Sequence, residues 1–506
     1  MTDDSQTRQP RDTELFEAVR AFVLEARTQY LKYRDSASYV IKIHDRQEFD
    51  EFESGFPHIT RDLTSEVADY RRPFGSKKTK WTPISFGEWE SFERLMEIAD
   101  RHERLQATSL IDPAKRHEGR GKDFWEIEVS DLPLEVFDRL MHVHGEEFEC
   151  DQLTAVYCQL EEGILAEKLP IMFAVPILLT KFADIEVFPI SSDMAVIEMS
   201  KKMHLARVPR HGRPTSSVNE VVSNAATHML ILTGWEMPNS RGHRTAPYDR
   251  MDWYPVERID RFFDSLRLTT GVDTGYAEIF IIPEGQQWAY RFREDLPVVV
   301  RGASARRYPS HFDDFGWLVD REPITEDQLT EVIEVYAGLA DSDSLGLAAR
   351  RLSTGMLRED EDDAILDLLI GLEAMLSDRE RGELTFKLAV RTAAVLAGLR
   401  GYDPSMVFGQ VKQLYSYRSA VAHGDAKKAA KLRMLNVNDD EVSSISLATS
   451  FLRDVARQLV KRPDLATPGD IDSKLILRSF ARAEEAEVDP GSISGELAAE
   501  EAESKT

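Results

Sequence analysis

The sequence predicts an α+β protein, with a mixed N-terminal region, a β-rich middle domain and an all-α C-terminal bundle. Three observations carry this expectation. The 506-residue chain exceeds what one core needs, so two or three domains follow at roughly 100–200 residues each. The apolar residues repeat at helical spacing towards both ends, but form short β-branched runs between 166 and 320. Two C-terminal segments are apolar on nearly every face, as helices inside a bundle are. A content of 42% hydrophobic and 9% aromatic residues excludes wholesale disorder.

Residues 1–12 are polar and are expected to be disordered. Residues 13–165 read mainly as helices. A run from Thr13 to Tyr33 places Leu15, Val19, Phe22, Val23 and Ala26 on one stripe, and further runs span Ser85–Ala107, Leu134–Val143 and Gln152–Leu165. Two basic, glycine-bearing loops interrupt them, Arg71 to Lys78 and Lys115 to Lys122. Such loops are ordinarily solvated, and phosphate binding is the alternative. Residues 166–320 form a β-rich sensing or regulatory domain, with strands expected at 170–176, 185–190, 195–199, 228–232 and 277–282. Residues 323–465 are helical again, over Glu326–Leu339, Leu345–Leu357, Asp362–Leu376, Glu383–Leu396, Asp403–Ala422 and Glu441–Lys461. From Glu484 to Thr506 eight acidic residues face one lysine, which predicts a disordered, solubilising tail.

Composition narrows the function classes. The net charge is −26 and the pI about 5.0, so a protein that coats nucleic acid over its whole surface is excluded. A local basic site on an acidic body is not. The N-terminus has no apolar signal core. The most apolar stretch, Leu169 to Leu179, is about half a membrane helix. Only two cysteines occur. A cytoplasmic protein in a reducing compartment, without membrane contact, is expected. No P-loop, dinucleotide glycine fingerprint or G-x-S-x-G elbow is present, so no ATP or NAD use and no cofactor is expected. His142, His144, Cys150 and Cys158 offer four zinc-ligand types, but their spacing fits no common zinc pattern. His-x-His on a helix points its rings about 200° apart. Scattered structural residues are the expectation there, and no metal site.

One segment stands against the overall charge. Arg379 to Arg433 holds eleven Lys and Arg against four Asp and Glu, a net of +7, which favours an anionic ligand. At its centre, Arg418 and His423 lie five positions apart, with the polar Ser419 between them. On a regular helix such a pair is about 140° apart. The side chains converge if the helix ends or bends there, or if a second subunit supplies one of them. Gly424, directly after His423, is a C-cap stop and favours the first option. The chemistry suited to the pair is metal-independent RNA cleavage. A histidine takes the proton of the ribose 2′-OH as that oxygen attacks the adjacent phosphorus. A fixed guanidinium answers the charge that builds on the phosphorane.

The segment resembles the RX4–6H signature of the HEPN superfamily, and the wider stretch is similar to its ApeA-like, anti-phage branch. The likeness runs from Leu345 to about Leu459. It rests on Ala348 to Leu352, Leu368 to Leu376, Glu383-Leu384 with Lys387 to Arg391, and Leu414 to Asp425. The middle region, notably Phe173 to Pro176 and Thr270 to Tyr276, is similar more loosely. Arg418 and His423 match the motif's arginine and histidine, and Ser419 its following polar residue. The resemblance implies a helical domain that dimerises into one RNA-cleaving cleft and takes part in abortive defence against phage. A structured, abundant RNA such as tRNA suits a growth-arresting enzyme, with a trigger of phage origin.

Around the motif, Glu383, Lys387 and Arg391 form a polar stripe. It is either a solvated salt-bridge face or a contribution of Arg391 to the nucleic-acid cleft with Glu383 orienting a neighbour. Glu373, on a buried helix, needs a partner and is expected to support an arginine such as Arg418 or Arg391. Tyr415 and Tyr417 can stack on bases, though core or dimer packing suits them better. The leading expectation is therefore an endoribonuclease acting as a homodimer. Its rivals are a non-catalytic module that binds RNA or a protein through the same surface, and a regulator whose β-rich domain senses a ligand.

Overall fold

The computed structural model describes residues 9–207, 219–240, 253–284, 297, 299–318, 320–378, 382–437 and 440–478. The acidic segment 484–506 and residues 1–8 lie outside these. The fold is α+β, and the chain divides into two units. The first comprises 1–254, 275–307 and 312–323; the second comprises 255–274, 308–311 and 324–506. Among the described residues no helix is long and apolar enough to cross a membrane.

The first unit opens with α1, Thr13–Ser36, whose buried stripe of Leu15, Val19, Phe22, Val23 and Ala26 is the predicted one. Residues 9–12, expected in the disordered leader, are tied down. The N–H groups of Arg11 and Asp12 donate to the buried carboxylate of Glu161 at 2.8 and 2.9 Å, and the Asp12 side chain caps α1. A hairpin follows, β1 (Lys42–Glu51) against β2 (Pro57–Ala68), then the two-residue strands β3 (Phe74–Gly75) and β4 (Ile84–Ser85). The hairpin was not expected. Its strands are rich in Asp, Glu, Arg and His, so no clean alternation of apolar and polar residues announces them. Helices α2 (Glu90–Ala99), α3 (Glu103–Thr108), α4 (Gly119–Val143) and α5 (Cys150–Leu165) complete the helical part. α4 runs straight through Pro133, where the sequence suggested a start. Trp125, Val129 and Leu132 before the proline and Phe137 and Leu140 after it all enter one core, and that burial outweighs the lost backbone hydrogen bond.

The middle region forms a six-stranded, fully antiparallel sheet: β5 (Lys168–Pro176), β6 (Val187–Ser191), β7 (Met194–Glu198), β8 (His228–Pro238), β9 (Glu278–Pro283) and β10 (Val300–Ser304), in the order β10-β9-β5-β8-β7-β6. β5 lies between β8 and β9, with Phe173 opposite Leu232 on one side and Ile281 on the other. Its burial on both faces explains the near-continuous apolar run. Helices α6 (Lys201–Arg207) and α7 (Glu220–Asn224) interrupt the strands.

The second unit begins earlier than the expected boundary at 323. Helix α8, Val256–Thr270, lay in the expected middle domain, yet it packs with the C-terminal helices, and Leu268 sits in their core. These are α9 (Glu326–Asp341), α10 (Asp343–Leu357), α11 (Glu361–Leu376), α12 (Leu384–Arg400), α13 (Pro404–Ala422), α14 (Ala426–Lys431) and α15 (Ser444–Lys461), with a hairpin of β11 (Met434–Val437) and β12 (Asp440–Ser443) before α15. α11 is the central helix, buried through Ile365, Leu368, Leu369, Leu372, Met375 and Leu376. Gly371 lets α15 approach it: a Cβ there would lie 2.4 Å from Leu452 Cδ1.

Candidate functional site

The motif lies at the end of α13. Asp403 caps the start of this helix by accepting from the Met406 N–H at 2.7 Å, and Pro404 takes the first helical position. Its end is equally defined. Gly424 has φ +73°, its N–H donates to the Val421 carbonyl at 3.0 Å, and the Asp425 N–H donates to the Ala420 carbonyl at 2.9 Å. That is a Schellman closure, which requires a left-handed residue where glycine stands. Asp425 then caps α14 by accepting from the Lys428 N–H at 3.1 Å. The predicted stop at Gly424 is therefore present.

The stop does not, however, turn His423 towards Arg418. The His423 N–H still donates to the Ser419 carbonyl at 3.1 Å, so the Cα of His423 remains on the helical path. Five residues along a helical path put the two Cα atoms roughly 9 Å apart and their Cα–Cβ directions about 140° apart around the axis. His423 is exposed, and Ser419 is half-buried.

Arg418 is directed at α11. Its Nη2 lies 3.6 Å from Glu373 Oε1, and its guanidinium carbon lies 5.3 Å from the centre of the Tyr415 ring. Of the two arginines expected near Glu373, Arg418 is the one within ion-pair distance. Burial pushes the Glu373 carboxyl above its ordinary range, and the Arg418 charge partly opposes this. The pair is not saturated: Glu373 Oε1 and Arg418 Nε are buried without a hydrogen-bond partner. Arg418 remains 28% exposed at its side chain, so one edge of the guanidinium faces solvent.

Other predicted residues serve elsewhere. Tyr417 is fully buried, and its hydroxyl donates to Asp362 Oδ1 at 2.6 Å, so it belongs to the core and offers no face to a base. Tyr415 is half-buried under Arg418. Arg391 is 5% exposed. It donates to Asp472 at 2.9 and 2.7 Å, to Asp378 at 2.9 Å and to the Leu376 carbonyl at 2.8 Å, a bracing role that removes it from any open cleft. Lys387 joins the same cluster through Asp378, 3.1 Å away. Glu383 does not lie on the stripe: it precedes α12 in a left-handed conformation, φ +49°, and is exposed. The basic island is therefore smaller than its sequence sum. Lys387, Arg391 and Arg433 are answered by Asp378, Asp472, Glu361 and Asp362. Lys412, Lys427, Lys428 and Lys431 stay exposed beside the motif, while Arg379 and Arg381 lie outside the described residues.

The zinc-ligand types are dispersed. His142 lies 3.4 Å from Asp138 and edge-on to Tyr70, Cys158 is buried in the first unit's core, and Cys150 and His144 are exposed. Among the described residues no three of His, Cys, Asp and Glu are grouped to hold a metal.

Sequence reasoning missed one buried polar cluster, Asp264, Arg267 and Ser353. Ser353 donates to Asp264, and Arg267 donates to Ser353 at 3.0 Å and to the Thr274 carbonyl at 2.7 Å. Asp264 and Arg267 stand one helical turn apart in α8, but Ser353 is 86 residues beyond Arg267, so no local pattern signals the group.

No protein-family model matches the chain, and neither the curated proteins nor the solved structures include a significant match.

Proposed function

We propose that this protein is a metal-independent endoribonuclease of the HEPN type, active in anti-phage defence as a homodimer. The observation that supports it best is the closed end of α13, which holds an exposed His423 beside exposed lysines, with Arg418 one and a half turns earlier, steadied by Glu373 and Tyr415. In the reaction His423 accepts the proton of a ribose 2′-OH. The 2′ oxygen bonds to the adjacent phosphorus, the bond to the 5′ oxygen breaks with that oxygen taking a proton from solvent, and Arg418 answers the charge on the equatorial oxygens, after which His423 returns its proton to water. The products carry a 2′,3′-cyclic phosphate and a 5′-hydroxyl. Because the two side chains diverge on one helix, the arginine and histidine of one working site come from two chains. That argument from geometry supports the dimer.

The test is cleavage of total cellular RNA in EDTA by the wild-type chain, Arg418→Ala and His423→Ala. Discrete fragments from the wild type alone are expected, with a loss of at least about a hundredfold in either variant. Activity that vanishes in EDTA and returns with Mg²⁺ would contradict the mechanism. A second reading, a non-catalytic module that binds RNA or a protein, draws on the engagement of Arg418 with Glu373. It expects both alanine variants to keep RNA binding and the cellular phenotype.

A further inference from the structure

The two basic, glycine-bearing segments of the first unit are about forty residues apart in sequence and come together in space; the second, expected as a loop over 115–122, enters α4 at Gly119. Lys77 Nζ, between β3 and β4, lies 2.8 Å from Asp123 Oδ1, in the first turns of α4. One arginine of each loop is spent on holding it. Arg71 pairs with Asp131 and Glu135, and Arg116 donates to the carbonyls of Gln106 and Ile111 while stacking 4.6 Å over Trp125. The remaining cations point outwards. Lys78, Lys80, Lys115 and Arg120 are exposed and take part in none of the ion pairs formed among the described residues. Two large rings stand with them: Trp81 is 64% exposed and Phe124 55%. Lys80 lies 5.5 Å from the Trp81 ring centre.

We infer that this face binds single-stranded nucleic acid, with phosphates on Lys78, Lys80, Lys115 and Arg120 and bases stacked on Trp81 and Phe124. Exposed rings among unpaired cations are what such strands need, since every base offers a π-face and every linkage a negative charge. A chain of net charge −26 repels a polyanion everywhere except where cations are concentrated, and screening over about 8 Å lets such a patch act locally.

The inference does not need the cleavage reading. Its test is binding of a fluorescein-labelled oligouridine of about 20 nucleotides to the full chain in EDTA, as salt is varied. Lys78→Glu with Lys80→Glu and Arg120→Glu should weaken binding at least about tenfold and lower the logarithmic salt slope by about 2. Trp81→Ala with Phe124→Ala should weaken it at least about thirtyfold without changing the slope. Lys78→Arg with Lys80→Arg should bind as wild type does, and all variants should melt as wild type does. Charge-reversed and ring variants that bind oligouridine as the wild type does would overturn the inference. So would a loss confined to phosphatidylserine vesicles, which would assign the face to a membrane. Either outcome stands whatever Arg418→Ala and His423→Ala do in the cleavage assay.

Discussion

A carboxylate half-buried among apolar side chains costs free energy unless a cation answers it, and among the described residues Glu373 pairs with Arg418 at 3.6 Å. The dependence is mutual, because the guanidinium is aimed by that carboxylate and by the ring of Tyr415. Glu373→Gln keeps the shape and removes the charge. Cleavage should fall about tenfold through a misplaced Arg418 while the urea midpoint hardly moves, because burial disfavours the carboxylate. An unchanged cleavage rate would remove Glu373 from the site. Tyr417→Phe should do the reverse, lowering stability by about 1 kcal/mol through the lost bond to Asp362 and leaving cleavage intact. This pairing was partly legible, since a lone Glu between Leu372 and Met375 demands an arginine. That Arg418 and not Arg391 supplies it was not. The partners of Arg391 at Asp378 and Asp472 lie 13 and 81 residues away, beyond any local pattern.

Helices were the most legible elements, because the stripe on α1 and the all-round burial of α11 follow directly from spacing. Polar strands were the least. β1 and β2 carry Asp, Glu, Arg and His throughout and so leave no alternating trace, while the close crossing of α11 and α15 depends on one glycine that the sequence does not distinguish from others. Gly371→Ala should destabilise the second unit by about 1 kcal/mol net, because the new methyl overlaps the fully buried Leu452 and that overpacking exceeds the roughly 1 kcal/mol alanine gains over glycine in a helix; an unchanged denaturation midpoint would contradict that packing. α8 is fastened by a group that titrates. Burial raises the Asp264 carboxyl to about 6, with Ser353 and Arg267 opposing the rise. In the unfolded chain the same group releases its proton near 4. Between about pH 4 and about pH 6 the folded state therefore holds a proton that the unfolded state has lost. Stability from this group is fully present below about 4, declines as pH rises through about 6, and is level above. Asp264→Asn should flatten that decline. Urea midpoints of the two chains across this range check it, and parallel curves would refute the assignment.

Over the whole molecule, charge is organised against its own average. A body of −26 carries exposed cations beside the end of α13 in one unit and on the joined loops 77–80 and 115–120 in the other. The sequence sum located the first region but overstated it, because it could not see carboxylates brought in from 361–362, 378 and 472; the second was legible only as two basic, glycine-bearing segments, with solvation as the ordinary reading. The divergence of Arg418 and His423 on one helix gives a molecular prediction. Arg418→Ala and His423→Ala chains, each inactive alone, should regain part of the activity when unfolded and refolded together, since a mixed dimer can pair the arginine of one chain with the histidine of the other. A mixture as silent as its components would restrict the site to one chain. The most direct measurement of all concerns the cut ends themselves. RNA incubated with the wild-type chain in EDTA should end in 2′,3′-cyclic phosphates, with 5′-hydroxyls on the downstream fragments and no such ends from His423→Ala. Fragments ending in a 3′-hydroxyl with a 5′-phosphate would mean that water, not the 2′-OH, attacks phosphorus, and the assignment of His423 would fall.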